Sequence, residues 1–335
     1  MLNELISVIM PVKNGAEFLD ECLLSIQNQG DVDWELIVVD DHSSDNSVDI
    51  VKAWSEKEKR IRLVHNKAEG IPSALATGLH NSSGTYISRM DCDDIMAPDK
   101  LKLLYSAIQL SGDRSISVGL IKYFSQQDLG EGYKRYENWL NSLTLNENHF
   151  SEIYRECVVP SSAWMMRKSD IVSDELFANL EIPEDYDFCF RLYKNGYSIV
   201  SVKEVVHLWR DHINRTSRND QRYNIRKFGI FKLKQFIRTD LKKGERIIIW
   251  GSGQKGKKMA RFLMENKMTF GWLTMNEKKA GNLVDNHVVY HPDDMNWSQN
   301  DKIVVAVSRT DDQAVIGNYL TQKGYLAWRD YFFFF

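Results

Sequence analysis

Short apolar runs, three of which lead to an acidic or amide side chain, recur through the first hundred residues, and this limits the fold more than any other feature. Ile6 to Met10 is closed by Pro11 and leads to Asn14. Leu36 to Val39 ends in Asp40 and Asp41, Ile61 to Val64 follows, and Thr85 to Arg89 ends in Asp91. Between these runs, Ala16 to Gln29, Ser47 to Trp54 and Ser73 to His80 carry helical periodicity. Strands alternating with helices predict an α/β fold with a largely parallel sheet, covered on both faces. Ligands of such sheets bind at the carboxyl ends of the strands. Asn14, the Asp40–Asp41 pair and the Asp91–Asp94 cluster are therefore expected to line one site.

The rest of the chain is less regular until a second unit begins. From Ser115 to Val206 the pattern is mixed, with a polar and aromatic stretch, Tyr123 to Phe150, interrupted by Gly130 and Gly132. Pro183 opens a helix, since proline suits a first turn. At Arg246 a strand–turn–helix signal starts afresh, with Gly251-Ser-Gly-Gln-Lys-Gly256 after the strand. With 335 residues the chain is long enough for two domains. The expected division is 1–220, a basic aromatic connecting helix at 221–243, and a smaller Rossmann-like α/β domain at 244–335. In that domain the strands are expected at Arg246–Trp250, Thr269–Thr274 and Lys302–Val307, with helices after Gly253 and from Asp311 to Lys323. The glycine motif has the context of a dinucleotide fingerprint. The acid that should hold a ribose about 20 residues on is missing, however, and Glu277 comes slightly late. A structural or regulatory module is the better reading, and a fragment ending near Leu241 should keep the donor site.

Charge and cysteine usage narrow the setting. A net charge of -3 argues against a nucleic-acid partner. Cys22, Cys92, Cys157 and Cys189 form no CxxC pair, which gives neither a zinc spacing nor a disulfide framework. This points to a cytoplasmic protein. No apolar run reaches the ~20 residues that would span a bilayer. Six cations (Arg222, Arg226, Lys227, Lys232, Lys234, Arg238) interleave with aromatics, and the chain closes on Phe332 to Phe335. Together these suggest a peripheral contact with the inner face of the cell membrane. The plainer alternative is a helix that packs its aromatic stripe on a neighbouring domain.

Two acidic groups carry chemistry. Three carboxylates in Asp91-Cys92-Asp93-Asp94 repel one another unless a cation or hydrogen bonds compensate. A hard ion such as Mg²⁺ or Mn²⁺, shared with substrate phosphates, answers that need. The other group, Pro183-Glu-Asp-Tyr-Asp187, caps a helix favourably. Facing a cleft, it would also hold a carboxylate ready to take a proton from a hydroxyl.

Five segments then occur in order. They are Ser7-Val-Ile-Met-Pro-Val-Lys-Asn14, Glu35-Leu-Ile-Val-Val-Asp-Asp41 with Ser43-Ser-Asp45, Gly70-Ile71 with Gly78-Leu79, Tyr86-Ile-Ser-Arg-Met-Asp-Cys-Asp-Asp94, and Pro183-Glu-Asp-Tyr-Asp187. Each is weak alone, but in register across residues 5–215 they resemble the inverting family 2 glycosyltransferases of the GT-A fold. The resemblance implies a nucleotide-sugar donor, with uridine as the default base, and a glycan or lipid-linked acceptor. Pro11, Val12 and Asn14 would line the nucleotide pocket, although Lys13 stands where the family often has an aromatic residue. One of Asp40 and Asp41 would hold the base or ribose. Asp91 would face the ribose, and Asp93 would ligate Mn²⁺ or Mg²⁺ on the diphosphate. Asp185 would be the general base. Arg210, His212 and Arg215 would close over the diphosphate or metal. An NAD(P)-dependent oxidoreductase resting on the C-terminal glycines would leave Asp93 and Asp185 unexplained. A non-catalytic nucleotide-sugar-binding protein would have no need to keep both.

Overall fold

The computed structural model describes all residues except 1, 127, 172–181, 216, 217 and 219–224. It divides into two compact units, one of Met1–Phe150 with Cys157–Asp220, the other of Ser151–Glu156 with Gln221–Phe335.

In the first unit the strands are β1 (Leu2–Val12), β2 (Val32–Asp40), β3 (Ile61–His65), β4 (Tyr86–Arg89), β5 (Ile95–Met96), β6 (Ser115–Phe124), β7 (Trp164–Arg167) and β8 (Ser198–Arg210). The helices are α1 (Leu19–Gln27), α2 (Ser47–Lys57), α3 (Ile71–Asn81), α4 (Lys100–Gln109), α5 (Glu131–Asn146) and α6 (Glu184–Lys194). The strands form one sheet in the order β3-β2-β1-β4-β7-β6-β8-β5. β3, β2, β1 and β4 are parallel, as expected. Beyond them the sheet is mixed, because β7 runs antiparallel to both β4 and β6, and β5 antiparallel to β8.

The central strands read as continuous apolar runs because both their faces are buried. Val8, Met10, Leu36 and Val38 enter the main core, whereas Ile37 and Val39 meet Ala74 of α3 on the other side. α1 adds Leu19, Cys22, Leu23 and Ile26 to the main core at helical spacing. Register then builds the site. Val12 pairs with Asp40, and Ile9 pairs with Arg89, so β1, β2 and β4 all end on one sheet edge.

The second unit has a parallel sheet of β10 (Phe270–Leu273), β9 (Arg246–Trp250), β13 (Asp301–Val305) and β14 (Tyr331–Phe333), in that order. Its helices are α7 (Ile225–Thr239), α8 (Gln254–Glu265) and α9 (Thr310–Gln322). A small hairpin of β11 (Leu283–Val284) and β12 (His287–Val288) turns through Asp285 and Asn286, both at positive φ. Both residue types tolerate such a turn. The three strands and two helices expected after Arg246 are therefore present, and β14 is an addition.

That addition corrects the sequence reading of the tail. Phe332 and Phe334 are buried, not exposed at a free end. Their rings pack on Tyr154, at 5.6 and 5.0 Å, and Phe236 lies 5.0 Å from Phe332. Lys232 of the basic segment is buried as well, and its ammonium donates to the carbonyls of Arg155 and Phe334 at 2.6 and 3.1 Å. The aromatic stripe of α7 thus serves packing, and the tail gives no support to a membrane contact. Arg222 and the side chains of Arg226 and Lys227 lie outside the described residues.

The glycine turn after β9 is tight. A Cβ on Gly256 would stand 1.8 Å from the carbonyl oxygen of Gly251, a backbone atom with nowhere to go. Gly256→Ala is expected to destabilise this unit by about 3 kcal/mol, the upper end of overpacking costs. Urea unfolding would show this, and an unchanged midpoint would mean that the helix can slide.

Candidate active site

The corner after β1 and β2 is built from interlocked turns. Asn14 takes a left-handed conformation, φ 55°, which its short amide side chain tolerates. Its Oδ1 accepts from the Ser44 amide at 2.8 Å, and its own amide donates to Ser43 Oγ at 3.1 Å. Pro11 and Val12 are the last residues of β1, and Val12 is buried. Asp40 and Asp41 are both buried but differ in their partners. Asp41 accepts from Asn66 Nδ2 at 2.7 Å and from the Gly70 amide at 3.0 Å, which fixes the start of α3. Asp40 accepts only from the Ser43 amide at 3.1 Å and has a long contact, 3.4 Å, to His65 Nδ1. A Cβ on Gly15 would stand 2.8 Å from Cys92 Sγ, so this corner touches the acidic loop directly.

Within the acidic loop the three carboxylates have separate surroundings. Asp94 is buried and accepts from the Arg210 amide at 2.8 Å, with His207 Nε2 3.0 Å away. Burial, then repulsion from Asp93 and Asp91, holds Asp94 well above the usual carboxylate range. Asp93 keeps part of its side chain open, and its Oδ2 lies 2.9 Å from His212 Nε2. Burial would raise Asp93, but the His212 hydrogen bond and the Arg215 charge bring it below its ordinary value. Asp91 Oδ1 accepts from Arg89 Nε at 2.9 Å.

The late basic segment reaches this loop. Arg210 Nε donates to the Asp93 carbonyl at 2.7 Å, and its guanidinium also pairs with Glu21. That guanidinium sits 4.5 and 4.9 Å from the ring centres of Phe124 and Phe18, so Arg210 braces the loop. Arg215 is buried and lies 4.8 and 5.5 Å from the ring centres of Trp209 and Tyr123. These two rings are themselves stacked at 5.1 Å. The Asp93 carboxylate and the His212 imidazole are paired with each other, and the carboxylate is a ligand type that suits Mg²⁺ or Mn²⁺.

At the start of α6, Pro183 caps the helix and Glu184, Asp185 and Asp187 fill its first turn. Asp185 accepts from Ser161 Oγ at 3.1 Å and from the Tyr186 amide at 2.8 Å. Burial, then the neighbouring Glu184 charge, pushes Asp185 up to about 7. Glu184 is buried and pairs with Arg89 Nη1 at 3.1 Å. Arg89 thus joins the acidic loop to α6. Burial opposes its charge, but Asp91, Glu184 and Asp185 more than restore it, and its pKa is raised. The sequence assigns no individual role to Arg89, Glu184, Ser161 or His207, although Arg89 and Glu184 lie inside two of the ordered segments. A single arginine next to the buried Ser88 and Met90 was the available signal for the first.

Comparison with known proteins bears on the family and the fold. Residues 7–173 match the family model described as Glycosyl transferase family 2. Glycosyltransferase GlyA of Streptococcus pneumoniae is 32% identical over 171 residues, 49% of this chain and 24% of that protein. The chain therefore spans about a quarter of the length of that relative. Glycosyltransferase GlyG of the same organism is 27% identical over 219 residues, 62% of this chain and 71% of its own. Among solved structures, residues 1–349 of S. aureus TarS in complex with UDP-GlcNAc share the fold at a TM-score of 0.55. The identity there is 18%, with 77% of this chain and 71% of that one covered. By fold, ordered motifs and family match, this chain belongs to glycosyl transferase family 2 and has a GT-A type glycosyltransferase unit.

Proposed function

We propose that the enzyme transfers a sugar, with inversion, from a nucleotide diphosphate donor to a hydroxyl of a glycan or lipid-linked acceptor, assisted by a divalent cation. The observation that carries this reading is that Arg89 pairs both with Asp91 of the acidic loop, which also holds the Asp93–His212 pair, and with Glu184, the chain neighbour of Asp185. Asp40 is the better candidate for the base or ribose, since both Asp41 oxygens already serve the Asn66–Gly70 loop. Uridine is the default base, and the UDP-GlcNAc in the TarS complex supports it. Asp91, at the start of the acidic loop, would face the ribose. Asp93 and His212 would hold Mn²⁺ or Mg²⁺, which when bound neutralises charge developing on the diphosphate. Asp185 would take the acceptor proton as its oxygen attacks the anomeric carbon from the face opposite the leaving group. Separate carboxylates serve inverting glycosidases in the same way.

A panel of nucleotide sugars, assayed for nucleoside diphosphate release with Mn²⁺, Mg²⁺ or EDTA, tests the reading directly. NAD(P)H absorbance in the same samples would expose an oxidoreductase. Only ionised Asp185 can accept a proton, and burial with the Glu184 charge pushes it up to about 7. Turnover should therefore be low at acid pH, rise through about 7 and level above it. A profile flat from acid to neutral pH would remove Asp185 from that role.

A further inference from the structure

Arg89, the last residue of β4, is buried, and carboxylates from two distant elements close on its guanidinium. Asp91 Oδ1 stands 2.9 Å from Nε, and Glu184 Oε1 stands 3.1 Å from Nη1. Glu184 is the first residue of α6 and the chain neighbour of Asp185. We propose that Arg89 is a positioning residue, which ties α6 to the acidic loop and keeps the Glu184 charge from forcing a proton onto Asp185. Its functional meaning rests on the reading of Asp185 as the base.

The physical case is one of charge balance in a dry place. One cation stands among three carboxylates, those of Asp91, Glu184 and Asp185. Two like charges on adjacent residues, with Glu184 buried, favour protonation of one of them, and a nearby cation relieves that pressure. Removing one member of a buried pair leaves its partner uncompensated. Among the described residues, the groups that face Asp185 are Glu184, Arg89, the Ser161 hydroxyl and the Tyr186 amide. The last two are neutral, so the two ionic neighbours set the sign. Loss of the Arg89 charge must raise the Asp185 midpoint, and loss of the Glu184 charge must lower it. A residue that only filled space would not give opposite shifts.

The test is direct. In the full chain carrying ¹³C-carboxyl aspartate, NMR follows the Asp185 resonance against pH, identified by its absence in Asp185→Asn. The expected midpoint rises by about one pH unit or more in Arg89→Gln, falls by a similar amount in Glu184→Gln, and stays near the parent in Arg89→Lys. If Arg89→Gln does not fold, Glu184→Gln decides, because its shift must be downward. Unmoved midpoints, or shifts of the same sign in both variants, overturn the proposal. Nucleoside diphosphate release by Asp185→Asn separates the two levels. Full transfer by that variant defeats the base assignment and leaves the charge coupling to the NMR result. An inactive Asp185→Asn with unmoved midpoints in the other variants defeats the Arg89 proposal alone.

Discussion

Asp185→Asn is expected to lower sugar transfer by about 10²- to 10⁴-fold, the usual worth of a positioned general base. Donor affinity should survive the change. An asparagine fills the same volume, and its side-chain oxygen can still accept from Ser161, whose hydroxyl lies 3.1 Å away in the parent. What it cannot do is take the acceptor proton. Single-turnover transfer and calorimetric binding of UDP, run side by side, separate the two effects. Collapsed affinity with unchanged transfer would give Asp185 a binding role. A product that keeps the donor's anomeric configuration, seen by NMR, would contradict inversion altogether.

Asp93→Ala is expected to cost about 10²-fold or more in turnover, the scale of losing one preorganised electrostatic stabiliser. It should also abolish the response to Mn²⁺. The fold should hold, because Asp93 keeps part of its side chain open and the buried bonds to Arg210 and His207 belong to Asp94. Turnover in EDTA, with and without the substitution, is the measurement. Full activity in EDTA, or in the variant, would leave the cation without a role.

Much of this site could be read from the sequence because parallel strands buried on both faces declare themselves as apolar runs. The residue after such a run then lies at the carboxyl edge of the sheet. Asp40 ends β2, Asp91 follows β4 after Met90, and Pro183 precedes α6, all as the apolar runs and the proline imply. The second unit was equally legible, with β9 found at its observed limits. What stayed hidden depends on pairing across long separations. The Arg89–Glu184 contact spans 95 positions, and no local periodicity reports it. The insertion of β7 between β4 and β6 is likewise a choice of partner, invisible in the four residues Trp164–Arg167. α5 was obscured by its composition, since only Leu140, Leu143 and Thr144 of its residues are buried. The terminal phenylalanines misled for the same kind of reason, because the rings that cover them come from Tyr154 and Phe236.

Residues Ser151–Glu156 belong to the second unit, although the chain returns to the first unit directly after them. Order of synthesis gives this a consequence. Arg155 and Phe335, which contact each other, are 180 positions apart. At about 5–20 residues per second, roughly 10–40 s pass between the emergence of this hook and that of its last partners. Phe236 emerges partway through that interval, but Phe332 and Phe334 come last, so until then Tyr154 is only partly covered and offers an apolar handle that a chaperone or a second chain can seize. A fragment ending near Leu241 keeps Phe236 but never gains Phe332 or Phe334, so part of the handle stays open for good. Any attempt to study the transferase unit alone must therefore blunt Tyr154 as well as choose where to stop.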